Sequence, residues 1–289
     1  MKKWFKRVFI GIIVLLIVII GLVNIGMRLM KFSDADANAY FVERGFEGKI
    51  ERVLVNNKEV KIVSDMPQES DSILLVFVHG APGSWDAFKE FITDIELVDR
   101  TRIVAYDRPG YGGSDEVVMS SIQEQSKILN EIIEQNKLKR TVLVGHSYGG
   151  PIAGLAGLDN RMDVDAVIMI APLIDPDSEP MFWYSYFSYW KMTSWLLPDE
   201  LIVAGAEKFA HASELEKMED LWKNADCNFV HVHGLKDGLA PGKENIIFAQ
   251  SQIPQEKLEM HIYNEKGHLL IWTDYELMKE IILETLDKL

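Results

Sequence analysis

The chain has a single cysteine, Cys227, so no intramolecular disulfide can brace it and its fold must stand on packing and hydrogen bonding. One thiol leaves the redox compartment open. No internal repeat or low-complexity tract appears, which sets aside repeat and linker-like architectures. Acidic residues are missing from the first 31 positions, where Lys2, Lys3, Lys6, Arg7, Arg28 and Lys31 supply six cations; the remainder therefore carries −20, against −14 for the whole chain. So negative a surface repels phosphate backbones and excludes nucleic acid as a partner. What remains is a chain of 289 residues, 48% hydrophobic, large enough to bury one substantial core. One domain with an N-terminal appendage is expected.

Between Val8 and Met27 there is no charged residue. That run has the roughly 20 residues a helix needs to cross a bilayer core. Lys2, Lys3, Lys6 and Arg7 precede it, and the positive-inside rule then puts that end in the cytoplasm and the rest of the chain on the far side. The rival reading is a cleaved signal peptide, for which Ala37-Asn38-Ala39 offers a small-x-small site. The apolar run exceeds a signal peptide's usual core, and that site lies well beyond its end, so an uncleaved anchor over 1–31 is preferred. Residues 32–48 are polar and read as a linker.

From residue 49 onward the pattern is that of one α/β domain. Lys49 to Val55 and Glu59 to Val63 are β-rich and separated by Asn56-Asn57, the chemistry of a hairpin turn. Apolar runs of strand length then alternate with helical patterns: ILLVFVHG, RIVAYD, TVLVGHS, AVIMIAP, CNFVHVHG and LEMHIYN. Unbroken apolar strands are what a sheet covered on both faces requires, and the alternation with helices such as Ser121 to Gln135 and Tyr275 to Leu289 predicts a mostly parallel α/β sheet. Thr273 followed by Glu276 predicts a capping box on the last helix.

The chemistry concentrates at the ends of these strands. Gly145-His146-Ser147-Tyr148-Gly149 follows one apolar strand and precedes the small-residue stretch IAGLAGL, the strand-turn-helix context in which G-x-S-x-G carries a nucleophile. Serine is a poor nucleophile without a base, and the base needs an orienting group. Asp237 stands on the loop after the strand Cys227 to His233, and His268 on the loop after Leu258 to Tyr263. The order serine, aspartate, histidine is the one this motif demands. Asp175, just past the strand Ala166 to Ile170, is the alternative acid. Donors for an oxyanion are expected from the backbone N–H groups of Ala81, in the turn His79-Gly80-Ala81-Pro82-Gly83, and of Tyr148; Pro82 has no N–H to give.

The segments HGAPG, DRPGYGGS, GHSYGG, HGLKDGLAP and the late KGH resemble the α/β-hydrolase superfamily over about residues 50 to 289. That resemblance implies an eight-stranded, mostly parallel sheet flanked by helices, with a helical cap inserted over about residues 175–226 of a domain spanning 49–289. It also implies a structural role for Asp107, in DRPGYGGS, beside the oxyanion turn. Epoxide hydrolases and haloalkane dehalogenases share such loops but carry aspartate at the elbow, so Ser147 argues against those two activities.

Other residues invite competing readings. His231 and His233 share one strand face and could hold a metal, but no Cys or His partner is evident nearby, and core or strand-end packing is preferred. His79 reads as a loop brace, and His146 as packed beneath the elbow. Met181 to Trp190 holds seven aromatics in ten residues, with Phe182, Tyr186 and Trp190 at helical spacing. This stripe packs the cap, lines a pocket for an apolar substrate, or meets a bilayer interface. The expectation is a membrane-anchored serine esterase for a small or lipid-like ester with an apolar acyl or aryl part. No metal or organic cofactor is implied. Amide or N-terminal proline cleavage is the neighbouring alternative, because HGxPG loops also resemble those of prolyl aminopeptidases; a non-catalytic tethered binding protein is the alternative from another class.

Overall fold

The computed structural model describes residues 2–65, 72–159, 162–183 and 185–289. Eight strands form one sheet: β1 Gly48–Val55, β2 Lys58–Asp65, β3 Ile73–Val78, β4 Arg102–Tyr106, β5 Arg140–His146, β6 Ala166–Ile170, β7 Asn228–Gly234 and β8 Leu258–Tyr263. Their spatial order is β1-β2-β4-β3-β5-β6-β7-β8. The expected Asn-Asn hairpin joins β1 to β2, with Asn56 and Asn57 both left-handed at φ 47° and 61°, as a tight turn between antiparallel strands requires. β2 runs antiparallel to β4, and β3 to β8 are mutually parallel.

The unbroken apolar strands β3 to β7 are buried on both faces, as their composition requires, whereas β8, at the edge of the sheet, is only partly covered. Leu74, Val76 and Val78 of β3 join Leu143 and Val167 in one core, while Leu75 and Phe77 point the other way, toward Val142, Val144 and Ile168. The helix Ile122–Gln135, capped by the Ser121 side chain on the Glu124 N–H, covers the first face. The helix Tyr275–Asp287 covers the second through Met278, Ile281 and Ile282. The predicted capping box on that last helix does not form. A one-turn helix, Leu270–Thr273, precedes it, so Thr273 sits one residue too early and its hydroxyl is directed to the Leu269 carbonyl (3.2 Å) and the Asp274 carboxylate (2.7 Å).

Residues 32–48, read from sequence as a linker, contain a folded element. A helix spans Asp34–Glu43 and begins with a complete capping box between Ser33 and Asp36. Its Ala37 and Phe41 are buried in the second core, and Phe32 and Phe41 both meet the Trp85 ring. A ten-residue helix with only two buried side chains leaves too faint a periodicity to recognise in advance. Before it runs the helix Lys2–Met30, whose Trp4–Leu29 stretch is long and apolar enough to cross a membrane.

Phe77, wholly buried against Phe88 and Phe91 at ring distances of 4.7 and 5.6 Å, tests this core directly. Phe77→Ala is expected to lower unfolding free energy by about 3–5 kcal/mol in chemical denaturation; a loss below about 1 kcal/mol would contradict the assigned packing.

Candidate active site

Ser147, Asp237 and His268 follow β5, β7 and β8, so the parallel sheet delivers all three to the carboxyl end of its strands, where open α/β sheets bind ligands. Ser147 is left-handed, at φ 52°, between β5 and the helix Gly149–Gly157. The turn closes because Gly149 lacks a side chain: a Cβ there would stand 2.1 Å from the Val78 carbonyl oxygen of β3. This is the strained elbow that the sequence context calls for.

The loops after β7 and β8 are tied to each other by backbone bonds from Leu235 to Tyr263 (2.9 Å) and from Lys236 to Lys266 (2.9 Å). They hold a line of contacts. The Ser147 hydroxyl lies 2.9 Å from His268 Nε2, and His268 Nδ1 donates to Asp237 Oδ2 at 2.7 Å. Asp175 is elsewhere, its carboxylate accepting the Asp177 N–H at the start of the 3-10 turn Pro176–Ser178. The geometry therefore brings together Ser147, His268 and Asp237, and leaves Asp175 out.

Asp237 is buried, which alone would raise its pKa. Hydrogen bonds from His233 and His268, the charge of His268 and the Ala240 N–H outweigh burial and hold the carboxyl well below the usual carboxylate range. The His233 contribution was missed in the sequence, where His231 and His233 were weighed only as ligands or packing. His231 Nε2 stands 3.1 Å from His233 Nδ1, and His233 Nε2 reaches the Ala240 carbonyl at 3.1 Å and Asp237 Oδ2 at 3.3 Å. These distances fit a neutral His231 whose Nε2–H donates to His233 Nδ1, with His233 Nε2–H directed to the Ala240 carbonyl and Asp237. Burial, and then the neighbouring His233, push the His231 pKa well down, in keeping with that state.

The loop His79–Gly83 lies against Ser147, since a Cβ on Gly80 would stand 3.0 Å from the Ser147 Cβ. His79 braces the loop as expected, with Nδ1 donating to the Gly80 carbonyl (2.7 Å) and Nε2 accepting the Arg108 N–H (2.9 Å). His146 donates through Nε2 to the His268 carbonyl at 3.2 Å, so it supports the loop that carries His268. Asp107 accepts the N–H groups of Trp85 and Gly113, both at 2.8 Å, just beyond the same turn. Burial pushes its carboxyl up to about 6 against those two bonds.

Arg108 went unremarked in the sequence and proves central. Fully buried, it donates from Nε to the His79 carbonyl and from Nη2 to the Gly80 carbonyl, each at 3.0 Å. Its Nη1 reaches Glu207 Oε1 and Gln125 Oε1, each at 2.5 Å, and Nη2 reaches Glu207 Oε2 at 3.2 Å. Burial would lower the guanidinium pKa, but Glu207 and then Tyr111 reverse that and keep it charged. Glu207 belongs to the helix Asp199–Glu216, which with the shorter elements Ser185–Tyr189 and Glu219–Asn224 fills the crossing from β6 to β7. The cap is thus bonded through Arg108 to the turn beside Ser147. The same cap helix places His211 over Tyr148, with ring centroids 4.6 Å apart, and His211 Nδ1 donates to Glu179 at 2.7 Å.

The aromatic stripe does not form as expected. Among the described residues of the stripe, only Ser185–Tyr189 is helical, with Phe182 before it and Trp190 after it; Tyr184 lies outside the described residues. Tyr186 and Trp190 do meet, at 5.9 Å, yet both are exposed. Five residues are too short a helix to carry a face repeating over eight.

The alpha/beta hydrolase family model matches residues 75–271. The chain belongs to that family. Within it, a Mycoplasma pneumoniae protein that carries the provisional name esterase/lipase 2 is 32% identical over 100 residues, 34% of this chain and 37% of that one. A proline iminopeptidase of Lactobacillus acidophilus is 31% identical over 90 residues, 30% of this chain and 31% of the relative. The chain thus spans about a third of the length of these curated relatives. Among solved structures, a membrane phospholipase A described as a bacterial virulence factor superposes with TM-score 0.64 at 20% identity, covering 98% of both chains. That likeness is one of fold.

Because Glu207 neutralises the buried Arg108, Glu207→Gln is expected to lower stability by about 3 kcal/mol or more. If Ser147 is the nucleophile, the substitution should also reduce kcat more than it raises KM, since the altered contact bears on the turn beside it. Thermal unfolding and steady-state kinetics check both, and an unchanged Tm would contradict the strut.

Proposed function

We propose that the protein is a serine hydrolase that cleaves a carboxylic ester with an apolar acyl or aryl portion through an acyl-enzyme on Ser147. The observation that carries this reading is the unbroken line from Asp237 to His268 to Ser147, at 2.7 and 2.9 Å, ending on a serine held at positive φ. His268 Nε2 takes the hydroxyl proton as Oγ attacks the ester carbonyl carbon, and Asp237 stabilises the imidazolium that results. The negative oxygen of the tetrahedral intermediate is received by the backbone N–H groups of Ala81 and Tyr148. As the acyl–oxygen bond breaks, His268 returns the proton to the departing alkoxide. Water, deprotonated by the same imidazole, then attacks the acyl carbon; the bond to Oγ breaks as His268 returns the proton to it, releasing the acid and free Ser147.

The helix Lys2–Met30 anchors this enzyme in a membrane, with the catalytic domain on the extracytoplasmic side. The basic flank before its apolar run supports that orientation. Amide cleavage is a second reading, favoured by the local likeness to a proline iminopeptidase.

Full-length protein in detergent should hydrolyse p-nitrophenyl esters with a defined acyl-length optimum and leave proline p-nitroanilide untouched. Ser147→Ala should abolish turnover with the fold intact, and Asp237→Asn should cut kcat by about 10⁴-fold, because asparagine selects the wrong imidazole tautomer. Retained ester turnover in Ser147→Ala would overturn the assignment, and preferred cleavage of the anilide would replace the ester reading with the amide one.

A further inference from the structure

We propose that the exposed aromatic loop of the cap docks into the outer interface of the bilayer that the N-terminal helix spans, so that cap and anchor form one membrane-seated unit. This inference rests on the anchor reading above.

A polar residue inside the apolar helix supplies the first observation. Asn24 lies three residues inside the charge-free run ending at Met27, about 4–5 Å below its end at the helical rise per residue. Its amide donates to the Ile20 carbonyl of its own helix and to the Leu196 carbonyl of the cap, both at 2.9 Å. The cap backbone at Leu196 therefore stands level with the last apolar turn of the anchor. Just beyond that turn, Lys31 pairs with Glu200 at 2.6 Å. Ile20, Val23 and Met27, spaced along one helix face, are partly buried, whereas Leu22 and Ile25 are exposed, so one side of the last turns is already occupied by protein.

The second observation is what the cap displays at that level. Immediately before Leu196, Trp183, Tyr189, Trp190, Met192 and Trp195 are between 54% and 85% exposed. Residues 181–197 include one charged group, Lys191, in a chain of which 26% is charged. A cluster of large apolar and aromatic side chains left in water marks an interaction surface. Tryptophan and tyrosine are the residues that favour the boundary between headgroups and hydrocarbon. Since the domain carries −20, attraction to anionic lipid cannot drive the contact, and a neutral phosphatidylcholine surface should suffice.

The test uses full-length protein in phosphatidylcholine nanodiscs, with a fluorophore on a cysteine introduced by Met192→Cys, and parallel labels at Ile17→Cys in the anchor and Lys139→Cys at the opposite end of the strands. Native Cys227 should stay unlabelled, because it is buried and burial pushes its thiol up to about 12. Doxyl-labelled lipid should quench the labels at 192 and 17 but not that at 139, and aqueous iodide should do the reverse. Adding Trp183→Ser and Trp195→Ser should release the label at 192 to iodide while leaving that at 17 in lipid. If iodide reaches 192 as readily as 139 while 17 remains in lipid, docking is overturned and the anchor stands. A label at 192 shielded from both quenchers would assign the patch to a second copy and overturn the proposal, and iodide access at 17 would remove the anchor and docking together.

Discussion

The architecture of the candidate site depends on the left-handed backbone of Ser147. A β-carbon in that conformation costs about 1–2 kcal/mol, which the turn must recover from its surroundings. The surroundings supply it in two ways. β5 is paired on both sides, with β3 and β6, so the approach to the elbow cannot shift, and the Ser147 N–H is held by the Ile170 carbonyl at 3.0 Å. On the far side, the bare α-carbon of Gly149 lets the following helix start against the end of β3. The serine hydroxyl is thereby projected toward the loops after β7 and β8, which the same parallel register brings to the same edge.

Around that elbow the polar groups form connected chains rather than isolated pairs. One runs through the sheet from His231 to His233, Asp237 and His268; the other runs from the cap through Glu207 and Arg108 to the His79 and Gly80 carbonyls. The second lies out of water and the first does so up to the partly exposed His268; in such surroundings a satisfied network fixes geometry firmly and a broken one is costly. The two chains have different duties. The first sets the charge and orientation of Asp237, and the second fixes the turn that faces the serine and ties it to the cap helix Asp199–Glu216. The cap is therefore coupled to the turn beside Ser147 rather than laid over it.

Much of this was legible in the sequence because it is encoded locally. The Asn-Asn turn, the continuous apolar strands and the glycine-flanked serine are each a matter of a few adjacent residues, and the order of Ser147, Asp237 and His268 follows from which strand each one ends. What escaped was non-local or marginal. Arg108 meets Glu207 across 99 positions, a contact that no periodicity announces. His233 reads as a strand histidine until folding places it beside Asp237. The helix Asp34–Glu43 has only two buried side chains to reveal it. Thr273 and the Phe182, Tyr186, Trp190 stripe carried valid helical spacing, but a preceding turn displaced the first and a helix of five residues was too short for the second.

The most direct measurement is the site and rate of covalent capture by a fluorophosphonate, followed by intact mass and peptide mapping. A single adduct on Ser147 in the wild type, with labelling slowed by orders of magnitude in His268→Ala and the fold unchanged, is the expected result. Folded protein that takes up no probe, or takes it up on a residue other than Ser147, would contradict the assignment of an activated nucleophile.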